Sequence, residues 1–146
     1  MFNYISLIIG LLVGVMQACW SLHVNLKGWE FEFSRKPEGK WSGSFFCSLV
    51  DPEERKIYFW VDSLIRQVAL DSAGLGREVS PFEEGRFMAR HEMRHVWQFN
   101  ECGMDAHWAD CRKPYIRQYR EVDANRFAFG QPVESAETVR ARMLSL

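Results

Sequence analysis

The sequence lacks a strong excess of either charge. Its 146 residues carry 18 basic and 19 acidic side chains, and the formal net charge is -1. Nucleic-acid-binding domains usually present a basic surface, so this balance argues against a nucleic-acid partner. Internal repeats and low-complexity tracts are absent as well. With 47% hydrophobic residues the chain can form a real core, and its length allows one folded domain and hardly two.

Charge is missing altogether from residues 1–22, MFNYISLIIGLLVGVMQACWSL. About 20 apolar residues are enough to cross a bilayer as a helix. Gly10 and Gly14 form a G-x-x-x-G pair, which favours close helix packing. We interpret this segment as a membrane anchor or a signal, although it has neither the basic n-region nor the A-x-A site of a signal peptide. The alternative is an unusually apolar first helix that is buried in the fold.

These interpretations of residues 1–22 predict different locations. An anchor or a signal would make the protein membrane-associated or exported, whereas a buried helix would be compatible with a cytoplasmic protein. The basic residues that follow the segment are interspersed with glutamates, so the charge pattern gives little indication of orientation.

Cysteines are few, and the four that are present do not define the compartment. Cys102 and Cys111 bracket the segment CGMDAHWADC, which predicts a loop closed by a disulfide if the domain is exported. Alternatively, Cys102, His107 and Cys111 would be three ligands of a structural zinc, but no fourth ligand is nearby. The third interpretation is that the cysteines are free buried thiols.

Alternating and apolar runs predict strands in the first half of residues 23–146. Two strands are expected to precede a loop at KPEGKWSG, and two more are expected to form a hairpin joined by DPEER. The predicted strands are 22–26, 29–33, about 44–50 and about 56–61.

Helix signals follow the hairpin. Asp62 or Ser63 would cap a short helix that runs through Leu70. A longer helix is predicted from Pro81 to Gly103, where SPFE provides a proline at the first helical position and a capping box. Two further helices are predicted at 119–130 and 135–146.

The motif HEMRH lies in the middle of the longer helix. His91 and His95 are one turn apart on one face, which is the spacing that lets two imidazoles bind a single metal ion. Glu92 then projects to the side of the metal, where it can take a proton from a water molecule. The pattern predicts the first half of a zinc site.

A catalytic zinc ion usually has three protein ligands and one open position, so a third ligand is required. In the predicted helix 119–130, one face carries Glu121, Ala124, Asn125 and Ala128. The small alanines allow another helix to approach closely, which makes Glu121 the candidate third ligand. Asn125 would accept a hydrogen bond from the other nitrogen of a ligand histidine.

HEMRH, followed 26 residues after His95 by EVDAN, resembles the H-E-x-x-H and E-x-x-A-(D/N) motifs of the gluzincin zinc metallopeptidases. The pattern is similar to that of ImmA/IrrE-like and HtpX-like peptidases, and the resemblance covers roughly residues 44–130. It implies one zinc ion per chain, bound by His91, His95 and Glu121, with Glu92 as the base and Asn125 orienting a ligand. Aspartate is commoner than asparagine at the position of Asn125 in this family.

Together these features predict an α+β fold with a small zincin-like core. In this fold a short β-sheet packs on the HExxH helix and on the glutamate-bearing helix, and the apolar N-terminal helix precedes them. The resemblance also implies that a strand such as 56–61 lines the cleft and pairs with an extended substrate backbone.

The predicted function is zinc-dependent endopeptidase activity on a protein or peptide substrate, with Glu92 as general base for a metal-activated water. The oxyanion would need a further electrophile, and the sequence offers Tyr115, Tyr119, His107 and Arg94. The alternative is a non-catalytic, zinc-binding structural or regulatory protein of the same fold. The presence of Glu92 favours the enzyme, because a purely structural site has no use for a base there. Little chain follows the motif, which predicts a shallow cleft with modest sequence preference.

Overall fold

Two long helices and a small sheet organise the fold, which a computed structural model describes for residues 2–146. The predicted α+β class, with a short sheet and an apolar first helix, is confirmed. Short 3-10 turns lie at Gly39–Trp41 and Tyr115–Arg117. The α-helices of the described residues are α1 (Phe2–Leu22), α2 (Val61–Leu75), α3 (Pro81–Cys102), α4 (Met104–Cys111), α5 (Tyr119–Ala128) and α6 (Ala136–Leu144).

The sheet contains β1 (Glu30–Ser34), β2 (Ser48–Asp51) and β3 (Lys56–Trp60) in the order β1-β3-β2. β2 and β3 form the predicted antiparallel hairpin, and β1 pairs with β3 in parallel. β3 is therefore central and has no free edge, so the expectation that strand 56–61 pairs with substrate is wrong. In the described residues the free edge on the side of the HEMRH motif belongs to β2.

Several local predictions are corrected. The strand expected at 22–26 is wrong, because α1 extends to Leu22 and residues 23–26 form a loop. The helix expected from Asp62 or Ser63 to Leu70 begins at Val61 and reaches Leu75. Asp62 does not cap it, because its carboxylate accepts a hydrogen bond from Tyr4 and pairs with Arg35.

The start of α3 also differs in detail from its prediction. Ser80 is the N-cap and Pro81 the first helical residue, but the Ser80 side chain makes no capping hydrogen bond. Glu83 forms an ion pair with Arg86 one turn further along the helix, so the predicted capping box is absent. The segment between Gly103 and Cys111, predicted as a loop, contains α4.

α1 packs along the first half of α3 through backbone-to-backbone contacts. A Cβ atom at Gly10 would overlap the carbonyl oxygen of Phe82, and one at Gly14 would lie 2.5 Å from the carbonyl oxygen of Arg86. Leu7 and Leu11 are fully buried in this contact. The buried-helix interpretation is therefore partly right, because one face of α1 belongs to the core of the protein.

The opposite face of α1 is apolar and exposed. By length and composition, α1 is able to cross a membrane, although a core helix or a signal sequence has the same properties. The exposed large side chains run along the whole helix and are Phe2, Ile5, Ile8, Ile9, Leu12, Met16 and Trp20.

We expect Gly10→Ala to lower the free energy of unfolding by about 1–3 kcal/mol, because the added methyl group has no room against the α3 backbone. Gly74→Ala is the matched control, since it is the same substitution inside α2 with nothing within 4 Å of the new Cβ. Helix propensity predicts that this control stabilises by roughly 0.5–1 kcal/mol. Urea unfolding measures both, and a stabilising Gly10→Ala would contradict the packing of α1 on α3.

Candidate metal centre

The two histidines of HEMRH face each other on the buried side of α3. Their Nε2 atoms are 3.0 Å apart, and both side chains are almost completely buried. The i, i+4 spacing places the rings on one face of the helix, as the sequence predicted. Two imidazole nitrogens this close need a proton or a metal ion between them, because two lone pairs would otherwise repel.

Glu121 completes a three-ligand group. It lies in the first turn of α5, which packs against α3, and its two carboxylate oxygens are 3.2 Å from His91 Nε2 and 3.3 Å from His95 Nε2. Tetrahedral coordination with ligand bonds of about 2.0–2.1 Å would separate ligand atoms by roughly 3.3 Å. The buried group of His91, His95 and Glu121 therefore has the size and donor set to hold a metal ion.

The electrostatics of Glu121 favour its charged form. Burial alone would raise the pKa of this carboxyl, but the charge of His95 and hydrogen bonds from both histidines outweigh it and hold the pKa well below its usual range. Arg120, with one guanidinium nitrogen 3.3 Å from the carboxylate, acts in the same direction. Glu121 is consequently an anionic ligand at neutral pH.

Amide oxygens orient both imidazoles. His91 Nδ1 lies 2.9 Å from Asn125 Oδ1, and His95 Nδ1 lies 2.8 Å from Gln98 Oε1. Because an amide oxygen only accepts, each Nδ1 carries a proton, which leaves Nε2 as the atom that would bind a metal once it is deprotonated. Asn125 thus has the contact that the sequence predicted for it, and Gln98 makes the equivalent contact with His95.

A buried ion pair fixes α5 against α3. Arg94 donates to both carboxylate oxygens of Asp123 over 2.7 and 3.0 Å, and each side chain is 1% exposed. The guanidinium also stacks on Trp97, 3.7 Å from the ring centroid, and Gln98 donates to the same carboxylate. Arg94 therefore points away from the cleft, which removes it from the candidates for oxyanion stabilisation.

This chain has no match among protein-family models, curated proteins or solved structures.

Glu92 lies beside the ligand group without joining it. Its side chain is 4% exposed, and Oε1 accepts a hydrogen bond of 2.6 Å from the Ser48 hydroxyl at the start of β2. Within residues 2–146 this is the hydrogen bond that the Glu92 carboxylate receives. The carboxylate is thus held next to the three-ligand group with its second oxygen unengaged.

The ligand group opens into a cleft of about 540 Å³ between β2 and the helices α3 to α5. Tyr115 and His107 both line it, and Tyr115 donates to Glu121 over 3.3 Å. Burial lowers the pKa of His107 to about 4, so its imidazole is neutral at pH 7. Tyr119 is directed elsewhere, because its hydroxyl donates to Glu134 over 2.9 Å. Of the predicted electrophiles, the structure brings only Tyr115 and His107 to the cleft.

The cysteines form no further site. All four are free thiols, as in the third interpretation, and the disulfide that export would have allowed between Cys102 and Cys111 is not formed. The Cys102 thiol donates to the carbonyl oxygen of Ala136, whereas Cys111 lies 3.5 Å from His107 Nε2. Across residues 2–146, the one group with metal-ligand spacing is that of the two motif histidines and Glu121, so a structural zinc at these cysteines is not supported.

Two residues that line the cleft, Ser48 and Arg120, were not predicted as part of the site. Ser48 lies 44 residues before Glu92 in the chain, and a single serine in an apolar strand carries no pattern. Neighbours on a helix usually point in different directions, yet the guanidinium of Arg120 lies in the cleft, 3.3 Å from the carboxylate of the adjacent Glu121.

Proposed function

We propose that the protein is a zinc-dependent endopeptidase. The observation that carries the proposal is an uncoordinated, buried carboxylate, Glu92, directly beside a group of two histidines and a glutamate that faces a cleft. Two imidazoles and one carboxylate are a ligand set typical of catalytic zinc, which usually keeps a fourth position for water. Zinc held by these residues would supply a Lewis acid that polarises water and the scissile carbonyl.

The protein residues then have separate roles. Glu92 accepts the proton of the attacking water as the new C–O bond forms, and it passes this proton to the leaving amine as the C–N bond breaks. Tyr115 and neutral His107 line the cleft as hydrogen-bond donors for the negative charge that develops on the carbonyl oxygen. No net proton is left on Glu92 after a turnover.

The edge of β2 supplies the substrate-binding surface in this proposal. Leu49 and Val50 line the cleft, and the free edge of β2 offers backbone donors and acceptors to an extended peptide. Backbone pairing depends little on side-chain identity, which supports an enzyme of modest sequence preference.

The test of the zinc site is a metal analysis of the purified full chain and of two variants. We expect one zinc per chain in the parent and in Glu101→Ala, an exposed residue of α3. Glu121→Ala should bind zinc at least 10²-fold more weakly, since loss of a ligand costs more than loss of an outer-shell partner.

A folded parent without zinc would overturn the proposed function. Zinc retained in Glu121→Ala would show that other residues bind the metal. One zinc per chain without hydrolysis of any peptide in a diverse library would instead favour the non-catalytic, zinc-binding alternative.

We further propose that α1 contacts a membrane with its exposed face while it remains packed on α3. If α1 crossed the bilayer in this arrangement, charged residues of α3 would enter the hydrocarbon beside it, namely Glu83, Glu84 and Arg86. Transfer of each charged side chain into the bilayer centre would cost about 2.5–3.5 kcal/mol. A helix that lies along the surface avoids this cost and buries its apolar face in the lipid.

Vesicle flotation tests the membrane contact. The full chain should float with phosphatidylcholine vesicles, and Met16→Asp should lose most of this binding. Ile116→Asp is the matched control, because Ile116 is also exposed but lies outside α1. A parent that stays unbound would show that α1 has no affinity for lipid.

A further inference from the structure

We propose that Ser48 is a positioning residue that holds the Glu92 carboxylate in its working orientation. The inference rests on the proposed peptidase function and adds a residue to it. Its basis is the buried hydrogen bond of 2.6 Å from Ser48 Oγ to Glu92 Oε1, which joins β2 to α3 across the cleft.

The Glu92 side chain needs such a constraint. Glutamate has three rotatable bonds, and fixing a flexible side chain costs conformational entropy. A bound metal would not restrain this carboxylate, because Glu92 is outside the ligand group. A short, buried hydrogen bond to a charged acceptor is among the stronger kinds and is suited to select one rotamer.

Ser48 is itself rigidly placed. It is the first residue of β2 and pairs with Phe59 of the central strand, and both residues are buried. The carbonyl oxygen of the preceding residue, Cys47, accepts a hydrogen bond from the Trp60 backbone. The hydroxyl is therefore fixed by the sheet rather than by a mobile loop.

The same strand would hold both the base and the substrate. The Ser48 side chain reaches Glu92, while the free edge of β2 is available to the peptide backbone. A shift of the strand would thus move the base and the scissile bond together. Errors of about 1 Å between reacting groups can lower the rate 10²-fold. This arrangement would therefore preserve the distance between the Glu92 carboxylate and the scissile bond.

Ser48 keeps its proton throughout the reaction. Its hydroxyl donates to Oε1, and Oε2 of Glu92 receives the proton of water and releases it to the leaving amine. Serine is neither nucleophile nor acid in this scheme, and its effect is exerted only through Glu92.

The experiment compares Ser48→Ala, Ser48→Thr and the exposed control Ser42→Ala in the zinc-loaded full chain. Four quantities are measured: the zinc content, kcat and KM on a quenched peptide cleaved by the parent, and the Kd of acetohydroxamate by calorimetry. Acetohydroxamate chelates zinc and places a proton-bearing atom against the base.

We expect Ser48→Ala to lower kcat by about 10- to 100-fold and to weaken acetohydroxamate binding, with KM and zinc content unchanged. Ser48→Thr keeps a hydroxyl and should retain most of the parent's kcat, and Ser42→Ala should match the parent. This split between kcat and KM is not expected from a residue that only supports the fold.

Other outcomes would overturn the inference. An unchanged kcat in Ser48→Ala would show that Glu92 needs no such partner. A change in KM alone would assign Ser48 to substrate contact, and a loss of zinc or of folded protein would assign it to structure. If the zinc-loaded parent cleaves nothing, the proposed function fails separately, and equal acetohydroxamate affinities in parent and Ser48→Ala would then reject the positioning role as well.

Discussion

Glu92→Gln is expected to lower kcat for peptide hydrolysis by about 10³-fold while one zinc per chain stays bound. Glutamine has nearly the shape of glutamate and its amide oxygen can still accept the hydrogen bond from Ser48, but it cannot take the proton of the attacking water. Because Glu92 is outside the ligand group, the metal should be unaffected.

The matched control is Glu101→Gln, which makes the same chemical change at an exposed position near the end of α3. Initial rates on a quenched peptide and zinc content should both equal those of the parent. Activity that survives in Glu92→Gln would show that the proton is transferred by another group and would remove the central residue from the proposed mechanism.

Asp123→Ala is expected to lower the free energy of unfolding by about 3–5 kcal/mol. The substitution leaves the Arg94 guanidinium almost fully buried, and within residues 2–146 its remaining hydrogen bond is a long one of 3.4 Å to the Glu134 carbonyl oxygen. Gln98 also loses an acceptor, so we expect zinc affinity to fall by roughly 10- to 100-fold through His95.

Asp105→Ala provides the comparison for this stability effect. It removes an ion pair of similar geometry with Arg140, but both side chains are substantially exposed, and solvent screening leaves such pairs little effect on stability. Urea unfolding of the two variants shows how much of the stability loss is due to the burial of the ion pair rather than to its geometry. Equal destabilisation would mean that Arg94 finds another partner once Asp123 is gone.

The helical part of the site was predictable because its signals are local. A spacing of four residues places His91 and His95 on one face of any helix, and Glu121 and Asn125 share a face for the same reason. The structure then brings α5 against α3 at the distance that the alanine-bearing face allowed. Periodicity therefore predicted which side chains converge.

The sheet and the loop after α1 depended on tertiary contacts that local sequence patterns do not report, and the start of α3 depended on which of two local partners Glu83 takes. Strand 56–61 was expected at the cleft, but its place in the sheet is decided by parallel pairing with β1, which no local pattern reports. The sequence 22–26 alternates like a strand, yet His23 adopts a left-handed conformation with φ of 50° after α1 and the loop finds no strand partner in the described chain. Glu83 could accept a hydrogen bond from the Ser80 backbone N–H, as in a capping box, or pair with Arg86. In the structure it forms the ion pair with Arg86.

The contact between α1 and α3 also concerns the order of events during synthesis. About sixty residues separate Leu22 from Pro81, and a ribosome that adds roughly 5–20 residues per second needs roughly 3–12 s to make them. For that interval Leu7 and Leu11, which α3 later covers, are as exposed as the opposite face of α1. Any cellular factor that binds hydrophobic nascent segments therefore meets a helix that is apolar all round, and it competes with α3 for the glycine-lined face until α3 emerges.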